Sequence, residues 1–294
     1  MLLNIFNGFC MAVADSVPGV SGGTIAFIFG FYREFLDSIH HTFVGNKEQR
    51  KISLMFLGKL AIGWFIGMGI SATVISKLLD SNIYFLSSVF SGLTVSAIPF
   101  IVLSEKKNIQ GKYKYLILTL IGAVIVIGIS LLRKNITSGD SINFSSISLG
   151  EIAYVFLAGM VAITAMVLPG ISGSTLLLIF GVYVPTITSV KALLHFDFSV
   201  IPGLIALGFG IIFGLLISIR VIRSALKNYY NEMIYLILGL MVGSLYAIAM
   251  GPTTLKNPLP PLSLGNFKIF GFILGVLILI ALESIRKMLE KLNA

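Results

Sequence analysis

Six apolar runs of about twenty residues, each nearly free of charge, constrain this chain more than any other feature. They cover roughly residues 54–76, 84–103, 115–132, 200–222, 233–250 and 267–285. About 20 apolar residues form a helix long enough to cross a ~30 Å hydrocarbon core. In lipid every backbone N–H and C=O must be paired within the chain, so only helices and closed barrels span it. The runs do not alternate in polarity, which excludes barrel strands of about ten alternating residues. Only 11% of the residues are charged and 56% are hydrophobic, against roughly 25% charged in soluble domains. The expected fold class is an all-α polytopic membrane protein with no separate soluble domain.

Two further apolar regions are interrupted. Region 5–40 breaks at Asp15-Ser16-Val17-Pro18-Gly19-Val20-Ser21-Gly22-Gly23-Thr24, and region 152–190 breaks at Leu168-Pro169-Gly170-Ile171-Ser172-Gly173-Ser174-Thr175. Before its break the first has about a dozen residues, too few to span, so it reads as a re-entrant hairpin. Pro18 to Thr24 aligns with Pro169 to Thr175 at an offset of 151. The same offset carries Phe29-Gly30 onto Phe180-Gly181, Tyr32 onto Tyr183, Tyr84 onto Tyr235 and Gly92 onto Gly243. One register held over that distance points to duplication. The expected organisation is a first repeat at 1–140 and a second at 141–294. Each repeat has a broken hairpin (5–40, 152–190) followed by three transmembrane helices.

An odd number of crossings per repeat makes the second inverted relative to the first. With both termini on one side, the loops there hold thirteen Lys and Arg against six opposite, leaving aside Arg33 and Lys59. That asymmetry places both termini in the cytoplasm. It also accounts for the net charge of +9 without nucleic acid, because the cations sit in short loops. The N-terminus has no basic stretch before its apolar run, so no cleaved signal is expected. Cys10 is the single cysteine and excludes an internal disulfide framework.

Pro-Gly-x-Ser-Gly-x-Thr suits a helix break at membrane depth. Pro removes a donor, Gly allows a tight turn, and Ser or Thr caps the helix that follows. Free N–H groups at such a break favour an anion, and broken helices facing the midplane are the binding element of inverted-repeat transporters. The candidate phosphate-binding residues are Gly19, Ser21, Gly22, Gly23 and Thr24 with Gly170, Ser172, Gly173, Ser174 and Thr175. The plainer reading is that small residues merely let helices pack closely. Two copies in register favour a site.

Charge is less symmetric. Asp15 aligns with Met166 and lies ~20 Å along a helix from the chain start. There it needs a proton or a cation, and Lys59 and Arg33 are the candidate partners. For Arg33, Glu34 and Asp37 the alternative is that they reach the interface. His40, His41 and His195 lie in or beside loops, and no metal or nucleophilic constellation is present. No metal and no cofactor are expected.

The stretch Ala14 to Thr24, followed by Phe29-Gly30-Phe31-Tyr32, resembles the signature of the bacterial polyprenyl-phosphate transporter family. Leu168 to Thr175 and Phe180-Gly181-Val182-Tyr183 are similar to its partner motif. The resemblance covers nearly the whole chain. It implies a non-enzymatic flippase of the bacterial cytoplasmic membrane. Its substrate would be undecaprenyl phosphate, the C55 carrier, returned to the inner leaflet during envelope synthesis. Two other readings stay open: an intramembrane polyprenyl-pyrophosphate phosphatase, and a transporter of a small anion.

Overall fold

The computed structural model describes residues 2–15, 21–134, 142–254 and 258–293. The regular elements among them are helical. α1 (Leu2–Asp15) leads to the first break, and α2 (Gly22–Ile28) and α3 (Tyr32–Val44) follow it. α4 (Lys47–Ser104) is two apolar arms joined at Asn82, where φ of −144° and ψ of 47° leave the helical region. α5 (Lys106–Ile109) and α6 (Leu116–Lys134) complete the first half. The second holds α7 (Leu149–Val167), α8 (Gly173–Ile179), α9 (Tyr183–Leu194), α10 (Ile201–Asn228), α11 (Tyr230–Ala249) and α12 (Ile269–Asn293).

Among the described residues, seven helices are long and apolar enough to cross a membrane. Six of them, Lys47–Ser71, Asn82–Ser104, Tyr113–Leu131, Phe198–Asn228, Tyr230–Ala249 and Ile269–Met288, coincide with the expected runs within several residues at each end. The seventh is α7, the first arm of the interrupted region expected at 152–190. Its 19 residues extend ~28 Å at 1.5 Å per residue, the thickness of a bilayer core. The helix begins early because Ser148 and Glu151 form a capping box. The Ser148 hydroxyl accepts from the Glu151 N–H at 3.3 Å, and the Glu151 carboxylate accepts from the Ser148 N–H at 2.8 Å. α1 has only 14 residues, short as expected.

The offset seen in sequence recurs in the elements. Adding 151 to Gly22–Ile28 gives Gly173–Ile179, and adding it to Tyr32 gives Tyr183, the first residue of α9. Gly30 (φ 73°) and Gly181 (φ 67°) make the same left-handed turn between the paired short helices, a conformation that glycine adopts without steric penalty. α8 and α9 meet at 104°.

Helices pack in four parallel pairs through glycines. Gly63 lies against the backbone of Ile5 and Phe9, and Gly67 against Phe9 and Ala12, so α1 and the first α4 arm ascend together. Gly210 meets Phe156 and Gly214 meets Met160, which sets α10 parallel to α7. Gly271 and Gly275 meet Phe85 and Val89, pairing α12 with the second α4 arm, while Gly239 and Gly243 meet Thr119 and Ala123, pairing α11 with α6. Close backbone approach at small residues is how helices adhere in lipid, where apolar burial gives little preference. α11 and the second α4 arm form the centre, with 61% and 56% of an apolar 18-residue stretch buried, against 17% in Ile269–Met288 and in Tyr113–Leu131. Phe65, Phe209 and Phe270 face outward, to the lipid side.

A side chain at Gly63 would overlap the Ile5 carbonyl, whereas Gly58 on the same arm has nothing within 4 Å. Gly63→Val is therefore expected to destabilise the protein by about 1–3 kcal/mol through overpacking, and Gly58→Val to be near neutral. Unfolding in detergent compares the two, and equal midpoints would contradict this packing.

Candidate functional site

The polar residues of the two breaks meet in the bundle interior. Ser21, with extended backbone (φ −131°, ψ 151°), caps α2 by accepting from the Thr24 N–H at 3.3 Å. The Ser21 and Thr24 hydroxyls lie 3.1 Å apart. Thr24 Oγ1 in turn accepts from the Gly170 N–H of the second break at 2.9 Å. One residue before that break, the Val167 carbonyl accepts from the Tyr32 hydroxyl at 2.9 Å. Each group here is buried, and an unpaired buried polar group costs about 1–3 kcal/mol. Each break thus satisfies groups that the other exposes. Gly23 is part of the same contact, since a Cβ there would lie 2.9 Å from the Val167 carbonyl oxygen.

The first break also holds a carboxylate. Asp15 Oδ1 accepts from the Gly22 N–H at 2.6 Å, and Oδ2 accepts from Trp64 Nε1 at 3.0 Å. These two bonds come from neither Lys59 nor Arg33, the cations expected as candidate partners. Lys59 is half-exposed on the first α4 arm. The Arg33 guanidinium lies 5.2 Å from the ring centre of Tyr230, at the far end of α2. Trp64 was missed in the sequence. Its signal was that it is the chain's single tryptophan, set in an aliphatic span where its N–H needs a partner. Asp37, read as possibly interfacial, forms an ion pair with Arg223 of α10.

The second break is built differently at the corresponding place. Met166 stands where Asp15 does, and its side chain packs on Gly173, where a Cβ would lie 3.0 Å away. The Ser172 hydroxyl bonds that of Ser174 at 2.8 Å and makes no capping bond to α8. The N–H groups opening α8 therefore have no side-chain cap, unlike those opening α2.

Between the breaks lies a cavity of ≈ 230 Å³. Asp15, Ser21, Ser172, Gly173 and Ser174 supply its polar wall, Trp64 and Met68 one side, and Ala162, Ile163 and Ile211 the other. At ~30 Å³ per water it has room for several waters or one small polar group. Of the expected residues, Ser21, Ser172, Gly173 and Ser174 reach it. Gly22, Gly23, Thr24 and Gly170 shape the contact behind it. Thr175 is half-buried and not in the lining, and Gly19 lies outside the described residues. Among the described residues no group of three His, Cys, Asp or Glu is placed to hold a metal.

Fold and site together define a polytopic helical membrane protein whose paired helix breaks border a small, half-open pocket, largely apolar with a few polar groups. The chain belongs to the VCA0040-like, undecaprenyl phosphate translocase-like family, whose model matches residues 11–261. It is 33% identical over 253 residues to the polyprenyl-phosphate transporter of Staphylococcus aureus, covering 86% of this chain and 87% of that one. It is 34% identical over 254 residues to the polyprenyl-phosphate transporter of Vibrio cholerae, covering 83% and 76% respectively. No solved structure matches the chain.

Because Trp64 is the sole tryptophan, its emission reports directly on Asp15. Asp15→Ala leaves the indole N–H and the Gly22 N–H without their acceptor, with an expected loss of about 1–3 kcal/mol and a shifted emission maximum. An unchanged spectrum and melting temperature would show that the Asp15–Trp64 bond contributes nothing.

Proposed function

We propose that this protein carries polyprenyl phosphate, and undecaprenyl phosphate in particular, across the bacterial cytoplasmic membrane. The direction is back to the inner leaflet for reuse in envelope synthesis. The names of the two relatives support the substrate class. The observation that carries the proposal is the junction of the breaks. The Gly170–Thr24 bond joins the two motifs, and hydroxyls from both, those of Ser21, Ser172 and Ser174, line one pocket. A phosphate monoester needs such donors in a dry path, and a ≈ 230 Å³ chamber takes the head group while the prenyl chain stays in lipid. Ser21, Ser172, Gly173 and Ser174 would contact the phosphate. Gly19, Gly22, Gly23, Thr24, Gly170 and Thr175 would hold the two turns around it.

Two inverted repeats, 1–140 and 141–294, fit the helix directions. Parallel packing of α1 with the first α4 arm requires α2 and α3 to return the chain to the side where α1 began. The same holds for α8 and α9 between α7 and α10. The second α4 arm runs with α12, whereas its counterpart α11 is followed directly by α12 in sequence. Counterparts in the two halves then point in opposite directions. Rocking of one repeat against the other would expose the chamber to each leaflet in turn. The loop charges favour cytoplasmic termini.

Asp15 shares the chamber, and an ionised carboxylate there would repel the phosphate. Its partners are the uncharged donors of Trp64 and Gly22. It therefore holds no cation that a phosphate would recruit, and the proposal assigns it a proton when the head group enters. The phosphatase reading is set aside because the relatives are transporters by name; the chain is not an enzyme.

Proteoliposomes loaded with a fluorescent prenyl phosphate test the chamber. A Cβ at Gly173 would lie 2.9 Å from the Ala162 carbonyl, so Gly173→Val should slow transport at least about tenfold by filling the chamber. Ser172→Ala removes one hydroxyl and should slow it no more than about fivefold, the equivalent of one neutral hydrogen bond. A folded Gly173→Val protein that transports at the normal rate would refute the proposal. Asp15→Asn should flatten the pH dependence of transport, and a wild-type pH profile would remove Asp15 from the coupling. For topology, cysteines at Gln49 and Gln110 on a Cys10-free background should label from the cytoplasm and one at Asn143 from outside. Same-side labelling of Gln49 and Asn143 would defeat the inverted arrangement.

A further inference from the structure

α2 separates two compartments. Its N-terminal end, at Ser21, borders the central chamber, and its C-terminal Phe27 and Ile28 line a second, larger space. Seven residues of helix put these ends ~10 Å apart. The larger space is a cleft in two parts that share Arg33 and Leu226.

One part, ≈ 610 Å³, lies between α3 and the C-terminal turns of α10. Arg33, Arg220, Arg223 and Lys227 line it, with Asp37 as the one carboxylate. Asp37 is committed to Arg223. Arg220 and Lys227 have no carboxylate partner among the described residues, so the walls hold three cations in excess. Charges that serve only to orient a helix end can point in any direction around it. These come from two elements and converge on one concavity, where mutual repulsion is relieved by a bound anion. Arginine forks suit phosphate oxygens, which they bind in pairs of hydrogen bonds.

The other part, ≈ 630 Å³, has an apolar wall of Phe27, Ile28, Phe100, Ile101 and Leu103. Its two carboxylates are engaged: Glu105 accepts from the Tyr230 hydroxyl at 2.9 Å, and Glu283 pairs with Arg286 at 3.3 Å. Arg33 stands at the boundary, with its guanidinium over the Tyr230 ring. A basic pocket joined to an apolar wall matches an amphiphile with a small anionic head.

We propose that this cleft is a second binding site for a phosphate monoester bearing an apolar chain. The head lies among Arg33, Arg220 and Lys227, and the chain lies along the Phe27–Phe100 wall. Resting on the transport reading above, it is the station that the lipid phosphate occupies at the basic end of the bundle, one short helix away from the chamber.

The test uses the full chain in detergent, with farnesyl phosphate as probe and native mass spectrometry or thermophoresis as readout. Arg220 and Lys227 are exposed, so Arg220→Gln/Lys227→Gln should fold normally, and it should weaken farnesyl phosphate binding about tenfold or more. Inorganic phosphate should compete poorly and farnesol not at all. In Gly173→Val, whose chamber is filled, binding at the cleft should persist. Unchanged affinity in the double variant would overturn the proposal, as would complete loss in Gly173→Val, which assigns all binding to the chamber. Inorganic phosphate competing as well as the lipid would make the cleft a free-phosphate site and also overturn it. None of these outcomes depends on flux. Transport failing in the wild type while the cleft still binds would instead sink the transport reading alone.

Discussion

The structure depends on one constraint: helices broken inside lipid must find partners for their freed backbone groups within the protein. Two breaks that were each alone would leave N–H and C=O groups facing hydrocarbon. Here Gly170 donates to Thr24, and Val167 accepts from Tyr32. Side chains of the first half thus satisfy backbone groups at the second break, while Asp15 and Ser21 take the N–H groups that open α2. The chamber follows from that junction. Glycine keeps the backbones close, and serine hydroxyls remain on the side that the junction does not fill.

Asymmetry within the duplicated frame supplies the chemistry. At one break a carboxylate takes the first N–H of α2 and the indole N–H of Trp64. At the other, Met166 replaces the carboxylate and Ser172 turns to Ser174 instead of capping α8. Two equal breaks would present the same polarity to an entering anion from both sides. The unequal pair lines one pocket with a carboxylate from the first break and a hydroxyl pair from the second.

The outer frame has a separate physical origin. Glycine-lined parallel pairs let backbones approach closely, and each pair joins helices that are distant in sequence, such as the second α4 arm with α12. Central α11 and the second α4 arm are themselves counterparts at the repeat offset, so the bundle is built around its own internal relation. The basic cleft and the pocket at the breaks then lie at opposite ends of α2, a helix of 7 residues.

Much of this was legible in the residues. The apolar runs marked the spanning helices within several residues, because lipid sets their length and forbids charge within them. The offset of 151 carries α2 onto α8 and the start of α3 onto that of α9, because the aligned Ser-Gly-x-Thr residues open a short helix in both halves. α7 starts at Leu149, three residues before the region expected at 152–190, because Ser148 and Glu151 cap it there. The donors to Asp15 were not legible in the same way. Charge suggested Lys59 and Arg33, and composition gives no rule for when a tryptophan N–H will serve instead. Which motif residues face the chamber was decided only in three dimensions. Ser21 and Thr24 belong to one motif and Gly170 and Ser174 to the other, but the contact between the breaks divides them into wall and junction. Local sequence determines that a helix must break, whereas the direction in which its freed groups point depends on the helix packed against it.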